Sequence, residues 1–120
     1  MGVMNHNAVV ATTWNDKCFD RLMLWLNEQP EQLRNLCLVG EPHTNGERTI
    51  CIVPDGSKEG WPKSDNVDEL RQSLIERLKE DEYEDGSSPW CWVEVGFGEF
   101  GQKVLRGNNW NRYDDQEYAA

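Results

Sequence analysis

No apolar run in the 120-residue sequence approaches the roughly 18 residues of a membrane-spanning helix, so a helical span is not read anywhere in it. The opening MGVMNHNAVV has no basic stretch followed by a long apolar one, and no secretory signal is read there. Gly2 invites N-myristoylation, but that motif needs Ser or Thr at position six, where His6 stands. A cytoplasmic protein is expected. Basic charge is scarce, with 12 Lys and Arg against 22 Asp and Glu and a net charge of −10. Nucleic acid and anionic membrane are polyanions, so this balance disfavours both as direct partners and makes a basic protein surface the natural counterpart.

Local metal-ligand pairs are missing as well. Cys18, Cys37, Cys51 and Cys91 fall one each in four predicted elements, mostly among apolar neighbours, with no CxxC or CxxH. A zinc site usually shows such pairs because a turn must bring two ligands to one ion. No metal or other cofactor is expected, and the cysteines read as buried, reduced thiols that pack as small hydrophobes. The two histidines are His6, close to the N-terminus, and His43, in a predicted turn beside Glu41 with no nucleophile next to it. Among 22 acids, adjacent carboxylates arise by chance, and catalytic ones need environments that push their pKa values apart. No catalytic residue is assigned, and the chain is read as a non-enzyme.

Gly96-Phe97-Gly98-Glu99-Phe100-Gly101 matches G-x-G-x-x-G and follows a predicted strand. Dinucleotide binding needs a helix immediately after the glycines, inside a βαβ unit, so that its N-terminus meets the pyrophosphate. Here Gln102 to Arg106 reads as a strand. A kinase-type glycine loop would leave no room for a catalytic loop, and Glu99 would face phosphate with the wrong sign. The glycines read instead as a twisted hairpin.

What the sequence has in abundance is acid in one place. Ser64 to Asp85 holds nine Asp and Glu against three Lys and Arg, so this stretch carries −6 of the total charge. Val67, Leu70, Leu74, Ile75 and Leu78 recur at the spacing of one buried helical stripe, with Asp65, Glu69, Glu76 and Glu80 on the opposite side. Ser64, Asp65 and Asn66 are N-cap types, and Asn66-x-x-Glu69 resembles a capping box. Glu80, Asp81, Glu82, Glu84 and Asp85 then crowd the C-terminal end, where the helix dipole favours cations. An end that breaks a local rule without visible compensation is a place to look for function. The plainer reading is a solvated, solubilising face.

Along the rest of the chain, Ala8 to Thr13 is a strand candidate and Asp16 to Gln29 a helix entered through Asn15 and closed by Pro30. That helix is apolar over more than half its circumference, so it is central to the core or binds something on its outer side. Pro30 to Asn35 adds a helical turn with Pro30 at its first position. Leu36 to Gly40 and Glu47 to Val53 read as strands joined through Asn45-Gly46, a strong hairpin signal. Ile50 to Val53 is apolar on both faces and is placed inside the sheet. Pro54 to Pro62 is a loop that holds Trp61. Trp90 to Phe97 is a strand whose alternation sets Cys91, Val93, Val95 and Phe97 apart from Trp90, Trp92 and Glu94. Two readings stand for the Trp pair: one or both are partly exposed interface anchors, or Trp92 packs under a helix and Trp90 covers a sheet edge.

The expected fold is α+β, an antiparallel sheet with two helices on one face in the order β-α-β-β-α-β, the ferredoxin-like split βαβ arrangement, plus a short C-terminal strand. Residues 1–106 form one domain, and 107–120 a loose tail. The expected binding surface combines Asp65, Glu69, Glu76, Glu80, Asp81, Glu82, Glu84 and Asp85 with Trp61 and Trp90, since acid steers encounter and Trp anchors interfaces. The function read from this is a small protein-binding inhibitor of the toxin-immunity or anti-defence kind. Its partner would be a basic protein such as a nucleic-acid-binding protein or nuclease, and a homodimer stays open. Two other readings are a nucleic-acid mimic and a small enzyme or ligand-binding domain with a cavity over the sheet. One acidic stripe is sparse for mimicry: acids four apart on a helix are about 6 Å apart, against one charge per ~1.7 Å of duplex axis.

Overall fold

A computed structural model describes residues 5–42, 46–56, 62–99 and 101–108. The elements are β1 (Asn5–Thr13), α1 (Asp16–Asn27), α2 (Glu31–Arg34), β2 (Cys37–Val39), β3 (Arg48–Ile52), α3 (Pro62–Lys79), β4 (Trp90–Gly98) and β5 (Gly101–Gly107). The chain is thus α+β, and its five strands form one antiparallel sheet in the order β2-β3-β1-β4-β5. The first strand, read from only a short β-branched run, is the centre of that sheet. It pairs with β3 from Val9 to Thr13 and with β4 along its whole length. β3 is an interior strand, as its two apolar faces require.

All the large buried side chains lie on the helix side. Val9 and Ala11 of β1, Ile50 and Ile52 of β3, and Trp90 and Trp92 of β4 face Phe19 and Leu22 of α1 and Leu70, Leu74, Ile75 and Leu78 of α3. Each fully buried large side chain of this kind contributes about 1.5–3 kcal/mol. Ala11 sits in register with both Ile50 and Trp92, a small residue between two large ones. Phe19 and Trp90 meet with ring centroids 6.3 Å apart, joining α1 to β4. The entrance to α1 is fixed by hydrogen bonds: the Cys18 amide donates to Asn15 Oδ1 at 3.1 Å, and Thr13 Oγ1 donates to the Pro89 carbonyl at 2.8 Å. Trp25 Nε1 donates to Ser73 Oγ at 3.0 Å and ties α1 to α3. Leu24 stays on the solvent side, so the apolar circumference of α1 is covered on two sides and open on the third.

Of the two readings of the Trp pair on β4, the structure takes the buried one, and it puts the Trp-bearing face, not the Cys91-Val93-Val95-Phe97 set, under the helices. Trp90 is 1% exposed, Trp92 6% and Glu94 4%, whereas Cys91 and Phe97 are exposed. Two indoles fill far more of the space under two helices than a Cys and valines, and volume decides which set is buried. The expectation that all four cysteines are buried fails for the same reason. Cys18 is buried, Cys37 and Cys51 are half-buried, and Cys91 lies on the outer face.

Both expected ends of the acidic helix also move. α3 begins at Pro62, a turn before the N-cap candidates, so Asn66 and Glu69 lie inside the helix and form no capping box. It closes at Lys79, short of Asp85. Pro30 stands just before α2, at the cap position instead of the first helical one. The glycine-rich 96–101 stretch is a β4-β5 hairpin with Gly98 paired to Gly101, as its strand-turn-strand reading predicts, and Gly101 has φ +111°. Beyond β5, Asn108 finishes the edge of β4: its Oδ1 accepts from the Trp92 amide at 2.8 Å, and its Nδ2 donates to the Trp90 carbonyl at 2.6 Å.

Candidate functional site

The acidic surface is built by α3 and the turn that follows it. The apolar stripe of α3 packs on the core, so Asp65, Asp68, Glu69, Glu76 and Glu80 are turned outward and exposed. The two arginines of the same stretch turn the other way. Arg71 is 6% exposed and lies with its Nε 3.6 Å from Glu94 Oε2, beneath the helix; it also pairs with Asp68. Glu94 Oε1 accepts from Arg106 Nε at 2.7 Å, and Arg106 reaches on to the Gln72 side chain. One buried carboxylate therefore joins α3, β4 and β5 through two arginines. A pair of this kind is favourable only while both partners and their hydrogen bonds are present.

The second arginine is used at the C-terminal end. Arg77 Nη1 lies 2.8 Å from Glu80 Oε2 and 3.7 Å from Asp81 Oδ1. Asp81 is not a surface acid at all. Its side chain is as buried as that of Arg71, accepts from Trp90 Nε1 at 2.8 Å and from Arg21 Nη2 at 3.1 Å, and so locks α3 to α1 and β4. This is the compensation that the sequence does not display: the acid that opposes the helix dipole is offset by two arginines and an indole N–H. Signal for it existed only in Arg77, four residues earlier; Arg21 and Trp90 are brought in by the fold. After Asp81, the chain turns back through a Tyr83 amide bond to the Ser87 carbonyl at 2.8 Å, and Asp85 Oδ1 accepts from the Ser87 amide and hydroxyl.

Of the expected site residues, Asp65, Glu69, Glu76 and Glu80 are exposed along the outward side of α3 and its end, and Glu82, Glu84 and Asp85 are exposed in the turn that follows, with Lys79 the exposed cation among the described side chains of this stretch. Among the described residues, Asp65, Glu69, Glu82 and Glu84 have no cationic partner, while Glu76 accepts from Gln72. Asp81 and Trp90 are removed from this surface, because they satisfy each other in the interior. Trp61 and His43 lie outside the described residues. The large exposed side chains nearest this end in sequence are those of Tyr83, in the turn, and Phe97, on β4.

An open groove lies between α2 and the start of α3, lined by Pro30, Gln32, Leu33, Asn66 and Glu69. Among the described residues that line it, Glu69 alone is titratable, with no nucleophile beside it. Among the described residues, no three His, Cys, Asp or Glu side chains converge as metal ligands. Cys18 Sγ accepts from Arg21 Nη2 at 3.2 Å, and burial, reinforced by the Asp81 carboxylate, pushes its thiol pKa up. Burial pushes the Cys37 thiol up to about 11, and Cys51 is raised for the same reason. Raised thiols are poor nucleophiles at neutral pH, so these three read as packing groups. Compared with protein-family models, with curated proteins and with solved structures, the chain matches none.

Proposed function

We propose that the protein is a non-catalytic binding protein whose acidic strip on α3 and the 80–85 turn engages a basic surface of a partner protein. The observation that carries this is the sorting of charge within one segment. Both arginines reach inward to Glu94 and Asp81 while also holding Asp68 and Glu80, and Asp65, Glu69, Glu82 and Glu84 face solvent with no cationic partner among the described residues. A face needed only for solubility gains from mixed charge, whereas a one-sign strip steers a partner of opposite sign. Such a surface suits an inhibitor of the toxin-immunity or anti-defence kind, acting in the cytoplasm on a basic protein such as a nuclease. We read the strand order, with β3 between β1 and β2, as a ferredoxin-like split βαβ with β5 appended.

The test is affinity capture from host lysate with the wild-type protein beside a Glu69→Lys/Glu76→Lys/Glu82→Lys variant, washed at low and high salt. A basic partner held by wild type at low salt, and lost both by the variant and at high salt, is the expected result. A partner kept equally by both proteins would overturn the reading.

A further inference from the structure

The other face of the sheet has no cover among the described residues. Across β1, β4 and β5 it presents Ala8, Val10, Val93, Val95, Phe97 and Val104, which the pairing register places side by side. Val10 is 39% exposed and Phe97 42%, and towards β2 the face continues through Cys51 to Leu38, 58% exposed. Its polar members include Thr12 and Thr49, which bond to each other through their hydroxyls at 3.2 Å, and His6, which lies against Phe97. No Asp, Glu, Lys or Arg is among the described strand residues that the register places on it. An antiparallel sheet with one face in water ordinarily reads apolar inward and polar outward, and this one is apolar on both.

We propose that this face is covered by a second copy of the chain, packed sheet on sheet in a two-fold dimer. The charge distribution selects that occupant. A protein of net charge −10 repels its own copies wherever its acids face each other, and this is a described surface whose strand residues include no acid. A basic partner, by contrast, gains no attraction there and is drawn to α3. The size fits too. Five strands about 4.8 Å apart, two of them nine residues long, give roughly 500–700 Å² per copy once the shorter strands are allowed for. A stable interface needs about 600–1,000 Å² per partner. Stacked sheets pack about 10 Å apart, which suits side chains of Val size meeting across a two-fold axis near Val10. The two acidic strips then lie on opposite outer sides. The dimer is bivalent towards basic partners and does not build a continuous polyanion.

The test is the mass of the full chain by sedimentation equilibrium from low micromolar to near-millimolar concentration, with Val10→Glu and Phe97→Glu as separate variants. Both sites are part-exposed, so each glutamate reaches water in a folded monomer, and circular dichroism checks that fold. The expected result is a wild-type mass rising to twice 13.9 kDa, with dimer affinity weakened roughly tenfold or more in each variant. Alkylation of Cys91, at the end of the same face, should slow as the dimer forms. A wild-type monomer at every concentration overturns the proposal, as does a dimer that both folded variants retain or that leaves Cys91 equally reactive. A full-length monomer that dimerises only when shortened to end at Asn108 also overturns it, and assigns the face to residues 109–120.

Discussion

The two faces of the sheet contradict the simplest rule of protein interiors. The face under the helices holds Glu94, Arg71 and Asp81 among its Trp and Leu side chains, whereas the described strand residues of the face open to water include no Asp, Glu, Lys or Arg and are largely aliphatic. The difference teaches that burial follows volume and partners more than residue class. Trp90 and Trp92 fill the gap beneath α1 and α3, and the charges that accompany them are admitted because each arrives with its counter-charge. Nothing of that kind constrains the open face, and its composition becomes explicable once it too meets a surface.

The sharpest way to break this contrast is to leave a buried charge alone. Arg71→Met removes one partner of Glu94 from beneath α3 and should cost about 3–5 kcal/mol in urea unfolding. Adding Glu94→Leu to the same chain should recover much of the loss, because an apolar pair replaces an ionic one. If the double variant is no more stable than the single one, the network has a role other than satisfying charge.

Asp81→Ala is the next largest. It strips the acceptor from Trp90 Nε1 and the counter-charge from Arg21 and Arg77, and should cost about 1.5–3 kcal/mol. Equal stability in wild type and variant would return Asp81 to the surface strip.

The cysteines divide along the same line between the faces, and pH reads that division. Cys37 holds its proton from its ordinary 9.0 up to about 11 in the folded chain, because burial disfavours the thiolate and the neighbouring Cys51 adds to it. Between those values an unfolded chain ionises and the folded one does not, so stability is full below pH 9 and declines towards pH 11. Cys18 and Cys51 act in the same direction. Urea midpoints across that window should fall less steeply in Cys37→Ala, and an identical slope would show that the thiol is not responsible.

Smallest of all should be the effect of Glu82→Ala and Glu84→Ala, within about 0.5 kcal/mol of wild type, since both acids are exposed and lack cationic partners among the described residues. A clear gain in stability on removing either acid would mark a repulsion that the fold tolerates, the pattern expected where a binding surface is kept against stability.

How much of this was legible beforehand differs from element to element. The antiparallel pairing of β2 with β3, the interior β3 and the Asn15 cap were all readable, because each rests on chemistry within a few residues, while the Asn45-Gly46 turn lies partly outside the described residues. The start of α3 was misread because three N-cap types stand together after Pro62, and proline at the first helical position is an equally good beginning. Asp81 was misread because its partners, Arg21 and Trp90, are 60 and nine residues away in sequence.

By itself, the sequence determined the periodicities: which segments are helix or strand, which residues of β4 share a face, and which side of α3 is acidic. Those follow from backbone geometry, with side chains alternating along a strand and recurring every 3.6 residues on a helix. Only the tertiary structure decided which face of β4 lies under the helices and which acids are spent inside. Both outcomes depend on what arrives from elsewhere in the chain. Arg71 comes from α3, Arg106 from β5 and Arg21 from α1, and a local pattern carries no information about that meeting.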